Sequence, residues 1–424
     1  MAKFLSNLRR LLTRSRPPSL YAGSINTDFS RFQEGDTVLI NGRHPLLTRP
    51  LERNKRTGVS RGAIEHSDII GKRPRDLVPA RKGAEYRITF PTLEEYATWT
   101  PRLVTPVYPA DASLIVSLLD IHVSAPSNEE NAPGAPLEIL EAGTGHGSLT
   151  LQLSRAINGA NTRSPPIPPN SQQKVIPENP SDEANTGKTE ASDESDSRQK
   201  AWDTWRAGRR AIIHTVEISA KHSSHAEKIV RGFRRGMYAG NVDFYVASVE
   251  NWIEHQNLYR NKSLFSKTLK PYLSYAILDM PSAHLRIPYV CPIIKVDGIL
   301  AVFMPNVTQI GDCVKIIKDK RLPLVLEKAV ELGTGISSGR LWDIRMAVRR
   351  PSPSLAKELT QATRDGSEGE RSGDSPESGS QDMSTSTSIQ APQAGDAVLI
   401  CRPKVGERIV GGGFVGIWRR INED

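Results

Sequence analysis

The sequence predicts an α/β protein with a doubly wound, mostly parallel sheet and a small β-rich N-terminal domain. One short stretch and one long pattern carry that prediction. In LEILEAGTGHGSLTL, at 137–151, an apolar run of Leu137, Ile139 and Leu140 closes on Glu141 and then passes through Gly143, Gly145 and Gly147. Leu149, Leu151, Leu153 and Ala156 follow with the look of a helix. Strand, glycine loop and helix in this order form the cofactor-binding opening of a doubly wound domain. Beyond it, short apolar stretches alternate with helical ones, as in a parallel sheet covered on both faces.

Each element can be placed in turn. Residues 28–100 are turn-rich, with strand-like stretches such as DTVLI and EYRITF, and form the small β-rich domain. After the glycine loop, AIIHTVEI at 211–218 reads as a second strand and 219–236 as a helix. VDFYVA at 242–247, LSYAILD at 273–279 and ILAVFM at 299–304 give a third, fourth and fifth strand. Residues 341–348 and FVGIWRR at 414–420 are expected to form a closing antiparallel pair. Two stretches rich in Pro, Ser and acids, 158–208 and 351–394, hold few large apolar residues. They are expected to be disordered insertions, because such composition buries too little apolar surface to offset the entropy of ordering.

With 424 residues the chain is long enough for a large core and more than one domain. A net charge of +9 favours a polyanionic partner such as RNA. No apolar run approaches the roughly 20 residues of a membrane span, so no membrane association is expected. Cys291, Cys313 and Cys401 form no CxxC pair, so neither a metal site nor a disulfide framework is indicated. Residues 1–27 carry Lys3, Arg9, Arg10, Arg14 and Arg16 and no acid, with Phe4, Leu5, Leu8, Leu11 and Leu12 at helical spacing. This basic leader has the pattern of a mitochondrial presequence.

Two acids give the glycine loop its chemistry. Glu217 ends the second strand 76 positions after Glu141, and 25 after discounting the 158–208 stretch. That is close to the roughly 20 expected of a carboxylate that binds the ribose of an adenosine cofactor. Asp279 ends the fourth strand within LDMPS, where ligands of open α/β sheets bind. Pro281 stiffens the turn behind it.

With these residues in place, the chain resembles the catalytic subunit of the tRNA (adenine-58-N1)-methyltransferases. The resemblance runs through HSDIIGK (66–72), PTLEEY (91–96), YPADAS (108–113), EAGTGHGSLTL, LDMPS, MPNVTQI (304–310) and the C-terminal GGGF. The long late insertion is most similar to the mitochondrial-type branch.

The resemblance implies a class I S-adenosylmethionine-dependent methyltransferase fold with a seven-stranded sheet. It implies S-adenosyl-L-methionine as cofactor, tRNA as substrate and N1-methyladenosine at position 58 of the T-loop as product. Glu141, Ala142, Gly143, Thr144, Gly145, His146, Gly147, Ser148 and Leu149 would surround the methionine part. Glu217 would hold the ribose with His222 nearby, and Ser248 and Val249 would flank the adenine. Asp279 matches the catalytic aspartate and borders the cofactor as well. Ser248 stands where the family usually has Asp, and His146 where it usually has Ser.

Adenine N1 becomes positive as it attacks the sulfonium methyl, and a carboxylate accepting from N6 stabilises that charge. Asp279 is expected in this role, with Tyr108 stacking on the base and Gln309 shaping the pocket. Position 58 lies inside a folded loop, so the base must leave its stack to react. Arg231, Arg234 and Arg235 are candidate phosphate contacts.

The family further implies a tetramer, either a homotetramer or a heterotetramer with a non-catalytic partner subunit. The leader points to the mitochondrion, with the nucleus as alternative. Two alternatives remain, a non-catalytic RNA-binding partner subunit of the same complex and a nicotinamide-dependent oxidoreductase. The first would be expected to lose the glycine loop or Asp279. The second requires a strict G-x-G-x-x-G order, which this loop lacks.

Overall fold

A computed structural model describes residues 23–126, 135–177, 193–260, 270–333, 342–348, 397–403 and 412–422. They fall in two compact units, the second of which, within 336–409, contributes one hairpin. The N-terminal part of the first unit holds β1 (Leu39–Asn41), β2 (Leu46–Leu47), β3 (Arg56–Val59) and β4 (Gly62–Glu65). A short α1 (His66–Ile69), β5 (Leu77–Pro79) and β6 (Glu85–Thr89) complete it. Four strands form an antiparallel sheet in the order β2-β1-β6-β5, and β3 pairs with β4 alone. Phe32, Val38, Ile40, Leu51, Ile64 and Ile88 give this sheet a core of its own.

Two helices lead to the main sheet, α2 (Leu93–Trp99) and α3 (Pro109–Leu119). The PTLEEY stretch starts α2: the Thr92 hydroxyl accepts from the Glu95 N–H, and the Glu95 carboxylate accepts from the Thr92 N–H. This reciprocal pairing satisfies two backbone donors that a helix start leaves free.

The main sheet begins with β7 (Leu137–Ala142), followed by α4 (Ser148–Ile157), β8 (Lys174–Val175) and α5 (Asp193–Ala207). Then come β9 (Ala211–Glu217), α6 (Ala220–Gly232), β10 (Val242–Val246), α7 (Val249–Arg260) and β11 (Leu273–Leu278). After α8 (Ile287–Val290) the chain forms β12 (Ile294–Met304), α9 (Val307–Asp319) and β13 (Leu324–Leu332). The second unit holds β14 (Trp342–Val348) and β15 (Ala397–Pro403), and β16 (Gly413–Arg420) returns to the first.

The eight strands run β13-β16-β12-β11-β7-β9-β10-β8, parallel from β12 to β8, with β16 antiparallel to both of its neighbours. This is the predicted doubly wound sheet, with the two-residue β8 as an added edge. Successive strand residues face opposite sides. Ile139, Ile213 and Ile277 therefore pack with Leu149, Ile115 and Ile229 on one face. Leu140, Val216 and Leu278 pack with Trp252 and Ile310 on the other.

Two expectations are corrected. The closing strands do not pair with each other: β14 pairs with β15, and β16 inserts between β12 and β13. LVLEKAVEL, which forms β13, reads as readily as a helix because its charges fall at helical spacing.

The 158–208 stretch is also not the featureless insertion its composition suggests, since 158–177 and 193–208 are packed. Trp202 and Trp205 are buried, and the Trp205 indole N–H donates to Thr162 Oγ1 at 3.0 Å. Arg206 and Arg209 both donate to Asp243 on β10, at 2.7 and 3.0 Å. Two tryptophans and a buried ion cluster anchor a polar helix that composition alone would leave unfolded. Residues 1–22, 178–192 and 351–394, with the expectations that fall on them, lie outside the described residues.

Candidate active site

The glycine loop leaves β7 through Gly143, Gly145 and Gly147, all at positive φ (93°, 52° and 86°). Gly143 is required twice over. A side chain there is strained by the left-handed backbone, and a Cβ would stand 1.9 Å from the Asp279 carbonyl oxygen. Gly147 closes the loop as the N-cap of α4 and lies against Ala226 of α6.

Parallel register brings Glu141, Glu217 and Asp279 together at the carboxyl ends of β7, β9 and β11. The Asp279 N–H donates to Ala142 O at 2.8 Å, so this acid is held by the end of the glycine-loop strand. Glu141 is fully buried, and its Oε2 accepts from Thr150 and Thr215 at 2.7 Å each. Thr144 pairs with Thr215 at 2.6 Å, which ties the loop to this network. Glu141 Oε1 is buried without a partner among the described residues.

Burial pushes Glu141 up to about 8, against the two threonine bonds and with Asp279 and Glu217 adding repulsion. Burial, and then Glu217, likewise push Asp279 up to about 7. A cation bound beside these acids would favour their ionised forms.

Glu217 reaches back to the loop, its Oε2 accepting from Gly145 N–H at 3.1 Å and its Oε1 from Ser219 N–H at 3.0 Å. His222 Nδ1 lies 3.9 Å from Glu217 Oε1. Ser248 Oγ accepts from Asn251 N–H at 3.1 Å, so its lone pairs serve the start of α7. Val249, next to Ser248, is buried.

Ile218 was not picked out from sequence. It follows Glu217, stands beside Ala247 through the Ala247 N–H to Glu217 O bond, and is 72% exposed. A large apolar side chain left bare next to Glu217 is the signal that marks it.

On the other side of Asp279 lies a cavity of about 290 Å³ lined by Thr105, Pro106, Val107, Tyr108, Asp111, Asp279, Phe303, Pro305 and Gly412. The cavity thus joins Tyr108 to the strand-end acid. Asp111, buried at the start of α3, is a second carboxylate in this wall that sequence reasoning passed over. Gln309 has a different duty: its side chain accepts from the Asn306 N–H at 3.2 Å and caps α9.

The candidate phosphate contacts are spoken for. Arg231 donates to Glu227 and to the Pro168 and Asn170 carbonyls. Arg234 lies over Phe29, Phe90 and Phe233. Arg235 binds Asp36 through two bonds of 2.6 and 2.8 Å. A left-handed kink at Arg234 and Arg235 (φ 44° and 58°) turns both toward the N-terminal part, which helical periodicity does not foretell.

No family model matches the chain. Among curated proteins it is 26% identical over 291 residues to the tRNA (adenine(58)-N(1))-methyltransferase TrmI of two Thermus thermophilus strains, covering 69% of this chain and 80% of each relative. Among solved structures, an S-adenosylmethionine-dependent O-methyltransferase of Thermotoga maritima matches with a TM-score of 0.53 at 14% identity, covering 93% of this chain and 96% of that one. The tRNA (m1A58) methyltransferase TrmI of Aquifex aeolicus, at 14% identity, covers 93% of this chain and all of that one with a TM-score of 0.48. The chain thus has the class I S-adenosylmethionine-dependent methyltransferase fold and is similar in sequence, over two thirds of its length, to the TrmI tRNA methyltransferases.

Proposed function

We propose that this protein is a tRNA methyltransferase that uses S-adenosylmethionine to form N1-methyladenosine at position 58 of the T-loop. The observation that carries the proposal is the placement of Asp279. Its backbone is bonded to the end of the glycine-loop strand, and it lines the cavity walled by Tyr108. One carboxylate borders both the cofactor loop and the substrate space. The named activity of the Thermus relatives supports the same reaction and substrate.

The residues fit the cofactor. Three acids at adjoining strand ends, one with a buried unpartnered oxygen, suit a ligand bearing a sulfonium and an ammonium. Gly143, Gly145 and Gly147 allow the methionine part to approach the backbone. Glu217 would accept from ribose hydroxyls, and the exposed Ile218 would offer apolar contact for the adenine. When bound, the cofactor supplies an electrophilic methyl group.

The chain's own residues do the rest. Tyr108 supports the face of the flipped base. Asp279, once ionised, accepts from its N6 amino group and stabilises the positive charge that grows on the ring. Removing such an electrostatic partner typically costs about 10²–10³ in rate. Both the glycine loop and Asp279 are intact, which argues against a non-catalytic subunit. A net charge of +9 supports RNA binding.

Assembly as a tetramer and a place in the mitochondrial-type branch belong to the same proposal. They rest on the sequence resemblance, and mitochondrial import rests on the acid-free, arginine-rich composition of residues 1–27. Incubating the full chain with unmodified tRNA and labelled cofactor, then mapping the product by reverse-transcription arrest, tests the reaction. Label at adenine 58 is expected. Binding of tRNA without any 1-methyladenosine would overturn the assignment.

A further inference from the structure

His146 sits in the middle of the glycine loop, yet its ring is engaged elsewhere. The side chain is buried, with Nε2 3.2 Å from Thr100 Oγ1. The Thr100 hydroxyl has its own acceptor in Ala97 O at 3.5 Å, so the pairing is complete when His146 Nε2 carries the proton. Beside it, the His225 ring from α6 lies 5.7 Å away centre to centre, and its Nε2 is 2.8 Å from Pro101 O. Val104 supplies a third point, with a methyl 3.6 Å from where a Cβ on Gly145 would stand.

The His146 and Val104 contacts hold segment 100–108, which contains neither helix nor strand from 101 onward, against the glycine loop, and His225 ties it to α6. Its far end is the substrate wall: the Arg102 guanidinium lies 5.4 Å over the Tyr108 ring, and Tyr108 lines the cavity with Asp279. Burial first, then His225 and Arg102, hold His146 down at about 4, so the ring is neutral near pH 7 and strands no charge.

We propose that His146 is a positioning residue that clasps segment 100–108 to the glycine loop, so that filling the cofactor site fixes the wall on which the substrate base rests. The inference rests on the cofactor reading above and not on the identity of the RNA. Ordering passed between adjoining sites through shared contacts is a coupling free energy. Thr100, His225 and Val104 are the fixed points, and Tyr108 is what they position.

Hydrogen exchange on the full chain, with and without S-adenosylhomocysteine, tests this. In the wild type the ligand is expected to slow exchange in both the glycine loop and segment 100–108, the latter by about tenfold. In His146→Ala, and in Thr100→Val as a second route to the same break, protection is expected in the glycine loop alone. His146→Gln, whose amide nitrogen can replace Nε2, is expected to restore protection of the segment. Undiminished protection of segment 100–108 in both disrupted variants would overturn the proposal while leaving the cofactor reading intact. Absence of protection in the wild-type glycine loop would overturn both.

Discussion

Gly143 and Asp279 are in backbone contact: a Cβ on Gly143 would lie 1.9 Å from the Asp279 carbonyl oxygen, and the Asp279 N–H donates to Ala142 O at 2.8 Å. The loop that would hold the cofactor and the acid that would serve the base are therefore one unit. Parallel pairing of β7 with β11 sets them side by side, although 135 residues of chain lie between them.

Substituting Gly143 tests that contact. Gly143→Ala forces a Cβ into positive φ, worth about 1–3 kcal/mol of strain before any steric overlap is counted. Movement of the loop away from β11 is the expected response. Cofactor affinity, measured by calorimetry, is predicted to fall by more than tenfold while the thermal transition stays cooperative. Unchanged affinity would mean that the loop is not held as described.

Proton release on cofactor binding follows from the acids. Burial raises Asp279 to about 7 and Glu141 to about 8, against ordinary values of 3.8 and 4.5. A raised folded-state pKa means that the native protein holds protons the unfolded chain has lost. The stability these two groups contribute is complete below about pH 4 and is lost as pH rises through about 7 to 8. A cationic ligand favours the ionised forms, so binding must release protons and tighten as pH rises from about 6 to 8. Titration with S-adenosylmethionine near pH 7, in two buffers of different ionisation enthalpy, reads the number directly. Less release is predicted for S-adenosylhomocysteine, which lacks the sulfonium charge, and proton uptake would contradict the account.

Arg235 separates a latch from a phosphate contact. Its partner Asp36 is 1% exposed at the side chain and belongs to the N-terminal part of the fold. Arg235→Ala leaves that buried carboxylate without its counter-charge, a loss of about 3–5 kcal/mol. Urea unfolding is expected to show it. The salt dependence of tRNA binding is expected to keep its slope, because no phosphate contact is removed. A shallower slope with unaltered stability would return Arg235 to the RNA surface.

Much of the sheet could be read from sequence because its central strands are short apolar runs separated by helices. Leu137–Ala142, Ala211–Glu217, Val242–Val246 and Leu273–Leu278 are each visible in that way. The acids at or just beyond their ends came from spacing, once the 158–208 stretch was set aside. What was not legible depends on partners distant in sequence. Trp202 and Trp205 look like isolated apolar residues in a polar run until Thr162 and Gly240 are brought against Trp205, and Asp243 against Arg206 and Arg209.

The same holds for single residues in the site. LVLEKAVEL becomes a strand because β16 offers it an edge. Arg234 and Arg235 lost their predicted role to a left-handed kink, and Ile218 showed itself only by being apolar and bare.

The most direct test of the central claim is the single-turnover rate of methyl transfer by Asp279→Ala, with cofactor and unmodified tRNA both saturating. Saturation removes differences in binding, so the rate reports the charge that the carboxylate stabilises as the base is methylated. A fall of about 10²–10³ relative to wild type is predicted, with tRNA affinity kept. A wild-type rate in that variant would contradict the assignment of Asp279 to the chemistry.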